Sequence, residues 1–433
     1  MKLLLRNGRV LCPASRLDRV LDVLIDDGKI SALGPRIKAP GVRVFNAARL
    51  VVAPGFIDLH VHLREPGQEH KETIETGARA AARGGFTTVC CMANTAPVND
   101  SPDVTRFILG RARSAAVNVL PIASVSRGLR GEELNDLTGL SAAGAVGFSD
   151  DGRAVASSRL MRLALEETKR LSAFVVEHCE DDALSAGGVM NEGALSRRLG
   201  LKGIPAAAEE IIAARDIILA GLTGGRLHLA HVSARGTVAL LREARRRKLR
   251  VTAEATPHHL LLTDAACASR DPAFKVNPPL RGRADVRALL GAVREGLIDV
   301  FVTDHAPHAE DEKRLGFEQA PFGINGLETA VPLLLDRLVR RKVISLSRLV
   351  RMMSTTPARL LGLKGKGVLR PGADADLTLL DLDARTVVDI RSFASKSRNS
   401  PFDGWKLRGA PVAALVGGRV AFPFDGLLPG ESA

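Results

Sequence analysis

Histidines and carboxylates stand at the ends of short apolar runs in this chain. Asp58, His60 and His62 alternate at the end of the first run, so a strand would place their side chains on one face. Two imidazoles on one face can bind a single ion, although an isolated pair of this kind can also be two hydrogen-bonded histidines. Here the pair belongs to a larger set at the ends of runs, which includes His178, His231, Asp304 and His305. Neutral imidazoles with carboxylates suit zinc or a similar divalent metal, and we therefore predict a metal site.

A second ion would require a bridging ligand, because two ions about 3.5–4 Å apart share one. The run GAVGFS is followed by Asp150, Asp151 and Gly152, and a carboxylate there is a candidate bridge. The same three residues are also favourable for a simple turn. The spacing does not choose between Asp150 and Asp151.

Further polar residues near the ends of the runs are candidates for contacts to a substrate. Arg64 lies two residues beyond the histidine pair, and an arginine beside a metal cluster can clamp a carboxylate. Asn94 follows the second run, Asn277 and Arg281 lie in VNPPLR, and His308 follows the last run. Each also has a structural interpretation, since Asn94 can shape a turn and Arg281 can be exposed.

The remaining histidines are expected to have supporting positions. His258 and His259 lie in TPHHLLL, where they would support the site from behind or pack in a loop. Surface or structural positions are expected for His70 and His228.

The candidate residues fit the hydrolysis of an amide-like bond. A metal lowers the pKa of a bound water toward about 7, which gives hydroxide at neutral pH, and it also polarises a carbonyl. A carboxylate at the end of the last run can take the proton of the water and deliver it to the leaving nitrogen. No GxSxG motif occurs, and Cys179, beside His178, is interpreted as a buried small residue.

The elements that must position these residues alternate between strand and helix. From residue 54 to residue 365, an apolar run, a turn and an amphipathic helical pattern repeat, and eight runs from GFIDLHVH to IDVFVTDH have strand character. This alternation predicts a parallel sheet closed into a (β/α)8 TIM barrel, with functional residues at the carboxyl ends of the strands. An open doubly wound sheet is the alternative, but no GxGxxG follows an early strand.

Both ends of the chain carry β-hairpin signals. LDVLIDDGKISAL alternates around Asp27 and Gly28, and LVGGRVAF turns at Gly417 and Gly418. We therefore predict that residues 1–53 and 366–433 form one small β-sandwich domain beside a barrel of residues 54–365. Hairpins that decorate the two ends separately are the alternative.

The charge balance is strongly basic, with a net charge of +13 over 433 residues. Such a balance suggests a nucleic-acid partner, but no stretch interleaves basic and aromatic residues. The densest basic run, residues 245–250, is interpreted as a solvated helix face. We therefore expect no nucleic-acid partner, and the positive field can instead gather an anionic substrate.

The five cysteines are odd in number and have no CxxC spacing, so neither a disulfide framework nor a thiolate zinc site is expected. The amino-terminal apolar run is too short for a signal peptide, and no stretch approaches 18 uninterrupted apolar residues. We therefore expect no membrane association and a cytoplasmic location.

Seven motifs resemble those of the bacterial class I dihydroorotases, which belong to the amidohydrolase superfamily. They are PGFIDLHVHLREPG, GGFTTVCCMANT, GFSDDG, EHCED, VNPPLR, VTDHAPH and SKSRNSPFDGW. The resemblance extends along nearly the whole chain, and the combination is highly specific. It implies the reversible cyclisation of N-carbamoyl-L-aspartate to L-dihydroorotate in pyrimidine synthesis. It also implies one or two zinc ions per subunit, a homodimer and, in some members, association with aspartate carbamoyltransferase.

The resemblance further implies a role for each candidate ligand. His60 and His62 would bind one metal with Asp304, and His178 and His231 would bind the second. Asp151 corresponds to the residue that bridges the metals, where many related enzymes have a carboxylated lysine instead. Asp304 would also be the catalytic acid–base.

By the same resemblance, Arg64, Asn94 and Asn277 would hold the substrate carboxylate, and His308 would contact the pyrimidine ring. Two positions depart from the family pattern: Ala93, where proline is usual, and Asn325, where an apolar residue is usual. Neither is an implied ligand, but Asn325 is expected in a loop near the ring.

The loop of residues 181–205 is rich in glycine and serine, which makes it a candidate for movement over the site. Two other functions are consistent with parts of the pattern. Another cyclic amidohydrolase, such as an allantoinase or hydantoinase, is opposed by Asp151 in place of lysine and by Arg64. A non-catalytic partner of aspartate carbamoyltransferase is opposed by the presence of every implied ligand.

Overall fold

The computed structural model describes residues 2–422. Its amino-terminal part consists of strands joined by short turns. They are β1 (Leu3–Cys12), β2 (Leu17–Asp26), β3 (Lys29–Gly34), β4 (Arg43–Asn46) and β5 (Val51–Pro54). β1, β2 and β3 form an antiparallel meander, whereas β4 and β5 pair in parallel with β1.

Eight parallel strands follow and form the barrel. They are β6 (Phe56–Val61), β7 (Phe86–Cys91), β8 (Asn118–Ala123), β9 (Gly147–Phe148), β10 (Val175–Glu177), β13 (Leu227–Leu229), β14 (Val251–Ala255) and β15 (Val300–Phe301). Two further strands, β11 (Met190–Asn191) and β12 (Gly203–Ile204), pair only with each other. The barrel strands are neighbours in chain order, and a parallel bridge between Val61 and His305 joins the last strand to the first. Each predicted run contains one strand, and the predicted (β/α)8 barrel is confirmed.

Helices alternate with the strands, and the apolar faces of the larger ones pack on the barrel. They are α1 (Ile74–Arg83), α2 (Pro102–Ala112), α3 (Leu137–Ala143), α4 (Ser158–Arg170), α5 (Asp182–Ser185), α6 (Ala194–Leu199), α7 (Ala206–Thr223), α8 (Arg235–Arg246), α9 (Pro257–Leu261), α10 (Arg283–Glu295), α11 (Glu310–Lys313), α12 (Leu327–Leu334), α13 (Leu346–Val350) and α14 (Thr356–Leu360). The loop of residues 181–205 therefore contains α5, α6 and the β11–β12 pair.

The basic run of residues 245–250 begins in the last turn of helix α8. Val238, Leu241 and Ala244 are buried on one face, as expected for an amphipathic helix. On the exposed face, Arg245 pairs with Asp299 at 2.6 Å and Arg246 pairs with Glu243 at 2.7 Å. Two charges of the basic run are therefore neutralised by carboxylates, and residues 247–250 follow the end of α8.

Three carboxyl-terminal strands complete the amino-terminal sheet. They are β16 (Leu377–Val387), β17 (Lys406–Val416) and β18 (Arg419–Phe422). β16 pairs antiparallel with β5, which gives one eight-stranded sheet in which β18, β17, β16, β5, β1, β2 and β3 follow one another and β4 joins at β1. Apolar residues from both chain ends, including Val23, Ile25, Leu377 and Leu415, form one core.

The two ends thus form one β-domain rather than separate decorations. The predicted boundaries, residues 1–53 with 366–433 and residues 54–365, stay predictions, and residues 423–433 lie outside the described part of the chain. All five cysteines are buried and free. Among residues 2–422, no helix combines the length and apolar character needed to cross a bilayer.

Candidate active site

The six predicted metal ligands converge at the carboxyl ends of the barrel strands. This is the face of the barrel from which the loops after the strands extend. Every one of them is buried, with an exposed fraction of at most 7%. A register shift between Asp58 and Val61 interrupts the alternation predicted for β6, yet both histidines of that strand reach the same group. The six residues are His60, His62, Asp151, His178, His231 and Asp304.

The first group consists of His60, His62 and Asp151, with Asp304 beside them. His60 Nε2 lies 3.3 Å from Asp151 Oδ1, and His62 Nε2 lies 3.4 Å from Asp151 Oδ2. Asp304 Oδ1 lies 3.2 Å from His62 Nε2 and 3.6 Å from His60 Nε2. Two imidazoles and two carboxylates thus point toward one small volume.

The second group consists of His178, His231 and the same Asp151. His178 Nδ1 lies 3.0 Å from His231 Nε2. These two nitrogens lie 3.6 and 3.5 Å from Asp151 Oδ1. Asp151 is therefore common to both groups, as a bridging ligand must be.

Asp150, the other carboxylate that the sequence left open, is turned away from the groups. Its Oδ1 accepts hydrogen bonds from the backbone N–H groups of Val125, at 2.8 Å, and Ser126, at 3.0 Å. Asp150 thus fixes the loop after β8, while the geometry leaves Asp151 as the carboxylate between the histidines.

Charges within the groups compensate one another. Burial lowers the pKa of His60, but the charges of Asp151 and Glu254 outweigh burial and raise it well above its ordinary value. Burial also lowers the pKa of His178, but its contacts with the carboxylates of Asp151 and Glu180 outweigh burial and raise that pKa to about 10. Burial raises the pKa of Asp304, but the hydrogen bond from His62 and nearby histidine charges bring it below its ordinary value. Metal-free, the carboxylates are therefore ionised and these two histidines hold protons.

The donor set fits a divalent cation. The candidate ligand atoms of each group lie within 4.8 Å of one another. His60 Nε2 and Asp151 Oδ1 are buried and have no hydrogen-bond partner, which is costly for polar atoms removed from water. A cation of the kind that imidazole and carboxylate prefer would satisfy both atoms.

A cavity of about 210 Å³ lies against these groups. Its lining includes His62, Asp151 and Asp304 from the first group. It also includes all four of the predicted substrate-binding residues, which are Arg64, Asn94, Asn277 and His308. The cavity is large enough for a small cyclic molecule and has a cation, amides and an imidazole on its wall.

Arg64 and His308 are held by the loop after β15. Arg64 Nε donates to the carbonyl of Pro307 at 3.1 Å, and His308 Nε2 donates to the carbonyl of Phe322 at 2.8 Å. Burial lowers the pKa of Arg64 to about 10, so the guanidinium remains cationic at neutral pH. Burial and the charge of Arg64 lower the pKa of His308 to about 2, so its imidazole is neutral.

Asn94 and Asn277 contact the metal-ligand candidates as well as the cavity. Asn94 Oδ1 accepts from His62 Nδ1 at 2.9 Å, and Asn94 Nδ2 donates to the Asp151 carbonyl at 3.3 Å. Asn277 Nδ2 donates to Glu180 Oε2 at 2.7 Å, and the same oxygen lies 2.9 Å from His178 Nε2. The sequence motifs did not predict these contacts between residues that are far apart in the chain.

Glu254 is a buried residue that the sequence reasoning missed. It lies on β14, and its Oε1 is 2.6 Å from His60 Nδ1. Burial raises its pKa, but the charge of His60 and hydrogen bonds from His228 and His60 outweigh burial and lower it to about 2. The only sign of Glu254 in the sequence was a carboxylate within the apolar run LRVTAEAT.

Other residues considered from the sequence lie outside the groups. His305 contacts Glu72 at 3.4 Å, and His259 lies between Thr256 and the Pro278 carbonyl. Arg281 is buried rather than exposed, and its Nη1 donates to the Ile204 carbonyl at 2.9 Å.

Asn325, one of the two departures from the family pattern, contacts the carboxyl-terminal segment. Its Nδ2 donates to Ser395 Oγ at 3.3 Å and to the Ser397 carbonyl at 2.6 Å. Asn325 does not line the described cavity.

Comparisons with known proteins give one family. The Dihydro-orotase-like model matches residues 48–237, and the Amidohydrolase family model matches residues 319–422. A dihydroorotase of Pelotomaculum thermopropionicum is 53% identical over 97% of this chain and 98% of that protein. A dihydroorotase of Solibacter usitatus is 50% identical over 96% of this chain and 97% of that protein.

Solved structures share the fold at lower identity. The L-hydantoinase (dihydropyrimidinase) of Arthrobacter aurescens has a TM-score of 0.86 at 28% identity, covering 96% of this chain and 95% of that one. The dihydropyrimidinase of Brevibacillus agri has a TM-score of 0.85 at 27% identity, covering 98% and 95%. Since the dihydroorotases match at about twice that identity over nearly the full length, the chain belongs to the dihydroorotase family.

Proposed function

We propose that this protein is a dihydroorotase, which interconverts N-carbamoyl-L-aspartate and L-dihydroorotate in pyrimidine synthesis. The observation that carries the proposal is the position of Asp151. It lies between two pairs of buried histidines, with Asp304 beside one pair, on a cavity that also contains Arg64. This arrangement combines a metal site, a proton acceptor and a cation for an anionic substrate.

His60, His62 and Asp304 are the proposed ligands of one ion, and His178 and His231 those of a second, with Asp151 shared by both. Zinc is the proposed metal, because sets of imidazoles and carboxylates suit it. When bound, such ions lower the pKa of a water and polarise a carbonyl.

Asp304 is the proposed general acid–base. In ring opening, water adds to the ring carbonyl carbon and the ring carbon–nitrogen bond breaks. Asp304 takes the proton of the attacking water and transfers it to the leaving nitrogen. In ring closure the nitrogen attacks the carbon of the protonated carboxyl group, and its proton passes through Asp304 to the departing hydroxyl group, which leaves as water. The pKa of Asp304 in the metal-free site lies below its ordinary value, so the carboxylate is ionised.

Arg64, Asn94 and Asn277 are proposed to hold the substrate carboxylate, with Arg64 supplying the charge. A guanidinium matches the planar geometry of a carboxylate. His308 is proposed to contact the ring, where a neutral imidazole can donate or accept a hydrogen bond.

A hydantoinase-like activity is the second candidate, because the similar solved structures include hydantoinases and dihydropyrimidinases. Two features of this chain favour dihydroorotate instead. Residues 144–152, which lead to the shared carboxylate, contain no lysine that a hydantoinase-type site would use. Arg64 also places a positive charge on the cavity wall, and a cyclic amide without a carboxylate has no negative group to pair with it.

Assembly and location are proposed from the resemblance. A homodimer and association with aspartate carbamoyltransferase are the proposed assemblies. A cytoplasmic location is supported by five cysteines that are all free and buried, as in proteins of reducing compartments.

A panel of cyclic amides tests the proposal. Purified protein with zinc would be assayed on dihydroorotate, dihydrouracil, hydantoin and allantoin, with ring opening followed by absorbance. We expect turnover of dihydroorotate to exceed the others by at least about a hundredfold, since a site built to pair with a charged group rejects analogues that lack it. Equal or preferred turnover of hydantoin or dihydrouracil would favour the second candidate.

A further inference from the structure

A line of polar side chains runs from β14 and β13 to the back of the first metal-ligand group. His228 Nδ1 lies 2.8 Å from Thr252 Oγ1, and His228 Nε2 lies 2.9 Å from Glu254 Oε2. Glu254 Oε1 then lies 2.6 Å from His60 Nδ1. His60, His228 and Glu254 are essentially inaccessible to solvent, so this line is part of the buried structure.

Glu254 contacts both groups of candidate ligands. Its Oε1 accepts a second hydrogen bond, from the backbone N–H of His231, at 3.1 Å. His60 belongs to the first group and His231 to the second. One carboxylate that is not itself a candidate ligand therefore touches a ligand residue of each.

The contact to His60 determines which nitrogen of that ring is free. A carboxylate accepts hydrogen bonds, so His60 Nδ1 carries a hydrogen, and loss of the second ring proton on metal binding would leave the lone pair on Nε2. Nε2 is the atom that lies 3.3 Å from Asp151 and has no hydrogen-bond partner. A carboxylate behind a ligand histidine fixes both the tautomer and the orientation of the ring.

The contact to His231 acts on the backbone. His231 has a φ of 27°, in the left-handed region that residues with a Cβ rarely adopt. Such conformations persist only where surrounding contacts hold them, and they cluster at functional sites. The hydrogen bond to Glu254 is one of these contacts, and it keeps the ring of His231 directed at His178, 3.0 Å away.

We propose that Glu254 is a positioning residue shared by the two metal groups, orienting His60 through its ring and His231 through its backbone. The proposal rests on the proposed metal-dependent function. It differs from a purely structural role, because removal of the carboxylate should weaken metal binding in both groups while the protein stays folded.

The test compares Glu254→Gln with Glu72→Gln as a matched control. Glu72 is also a fully buried glutamate beside a histidine, His305, which is in neither metal group. The full-length proteins would be stripped of metal with a chelator, checked by circular dichroism, and titrated with zinc against a chromophoric competitor that resolves two binding events.

We expect Glu254→Gln to weaken both zinc-binding events by about ten- to a hundredfold, the range typical of residues that orient metal ligands. Glu72→Gln should leave both within about twofold of the wild type. Weakening confined to one event, or none, would overturn the shared role. A wild-type protein that binds no zinc would instead overturn the proposed function, and this proposal with it.

If Glu254→Gln does not fold, Glu254→Asp provides the second variant. It keeps the charge but is one methylene shorter, so one carboxylate can no longer reach all three donors. The expected result is a folded protein with both zinc affinities reduced. Unchanged affinity for both ions in Glu254→Asp would contradict the proposal.

Discussion

Asp304 is proposed both to bind metal and to transfer protons, and a single substitution separates the two roles. Asp304→Asn keeps the shape of the side chain but removes its basicity. We expect turnover to fall by at least about a thousandfold, which is within the range expected for the loss of a general acid–base. Most of the metal should remain bound. The remaining four histidines and Asp151 explain the retained metal.

Metal content and turnover would be measured on the same Asp304→Asn sample. A variant that has lost all its metal would make Asp304 chiefly a ligand and would contradict the acid–base assignment.

His178 gives a prediction about pH. Its pKa in the metal-free protein is raised from 6.5 to about 10, so at neutral pH it holds a proton that a metal must displace. The apparent zinc affinity should therefore rise with pH up to about 10. The stability of the metal-free fold should change in the opposite direction with pH. The part of that stability that comes from the raised pKa of His178 is complete below pH 6.5 and is lost as pH rises through about 10.

Calorimetric zinc titrations in two buffers of different protonation enthalpy would measure this proton release. Binding at pH 7.5 with no release of protons would contradict the raised pKa of His178.

Individual residues also show where sequence reasoning reaches its limit. The candidate histidines could be selected because each stands at the end of an apolar run. The choice between Asp150 and Asp151 was not, because it depends on which carboxylate the backbone N–H groups of Val125 and Ser126 capture. Glu254 was missed because its partner His60 is 194 residues away in the chain.

At the scale of elements, Arg215 on α7 ties the loop after β9 to the strand that leads to His178. It donates to the carbonyls of Val155 and Ala156, both at 2.7 Å, and lies 3.6 Å from Glu177 and 2.8 Å from Asp216. Burial raises the pKa of Glu177 and that of Asp216, the latter to about 6, and the charge of Arg215 opposes both shifts.

Arg215→Met should lower the free energy of unfolding by about 3–5 kcal/mol, because it leaves buried carboxylates without their cation. Arg162→Met on α4 is the control, since the pair of Arg162 with Glu166 is exposed and should contribute less than about 1 kcal/mol. Urea unfolding would measure both, and equal effects would contradict the role assigned to Arg215.

The elements themselves were largely predictable. Eight apolar runs separated by amphipathic patterns indicated the barrel, because only alternating parallel strands and helices bury such runs on both sides. The short strands β11 and β12 were not predicted, since two-residue pairs carry no periodic signal. The two chain ends also join in a single sheet through β5 and β16, a pairing that hairpin signals alone cannot specify.

At the scale of the whole molecule, the carboxyl-terminal segment contributes to the candidate site. Ser397 Oγ accepts from the backbone N–H of His308 at 3.2 Å, and Asn399 Nδ2 donates to the Gly323 carbonyl at 2.8 Å. His308 and Gly323 both line the cavity. The motif SKSRNSPFDGW thus acts at the site, although it lies far from the barrel strands in sequence.

The net charge of +13 gives a prediction about salt. If the positive field gathers the anionic substrate, kcat/KM for N-carbamoyl-L-aspartate should fall about three- to tenfold between about 20 mM and about 300 mM salt. Metal content measured at both salt concentrations controls for loss of the ions. An unchanged kcat/KM would show that the charge has no role in substrate capture.

The most direct test of the central claim is dihydroorotate turnover in both directions, measured together with metal content before and after chelation. We predict turnover that disappears when the metal is removed and returns when zinc is restored, with up to two ions per chain. A folded, metal-loaded protein that turns over no dihydroorotate, alone or with aspartate carbamoyltransferase added, would contradict the account.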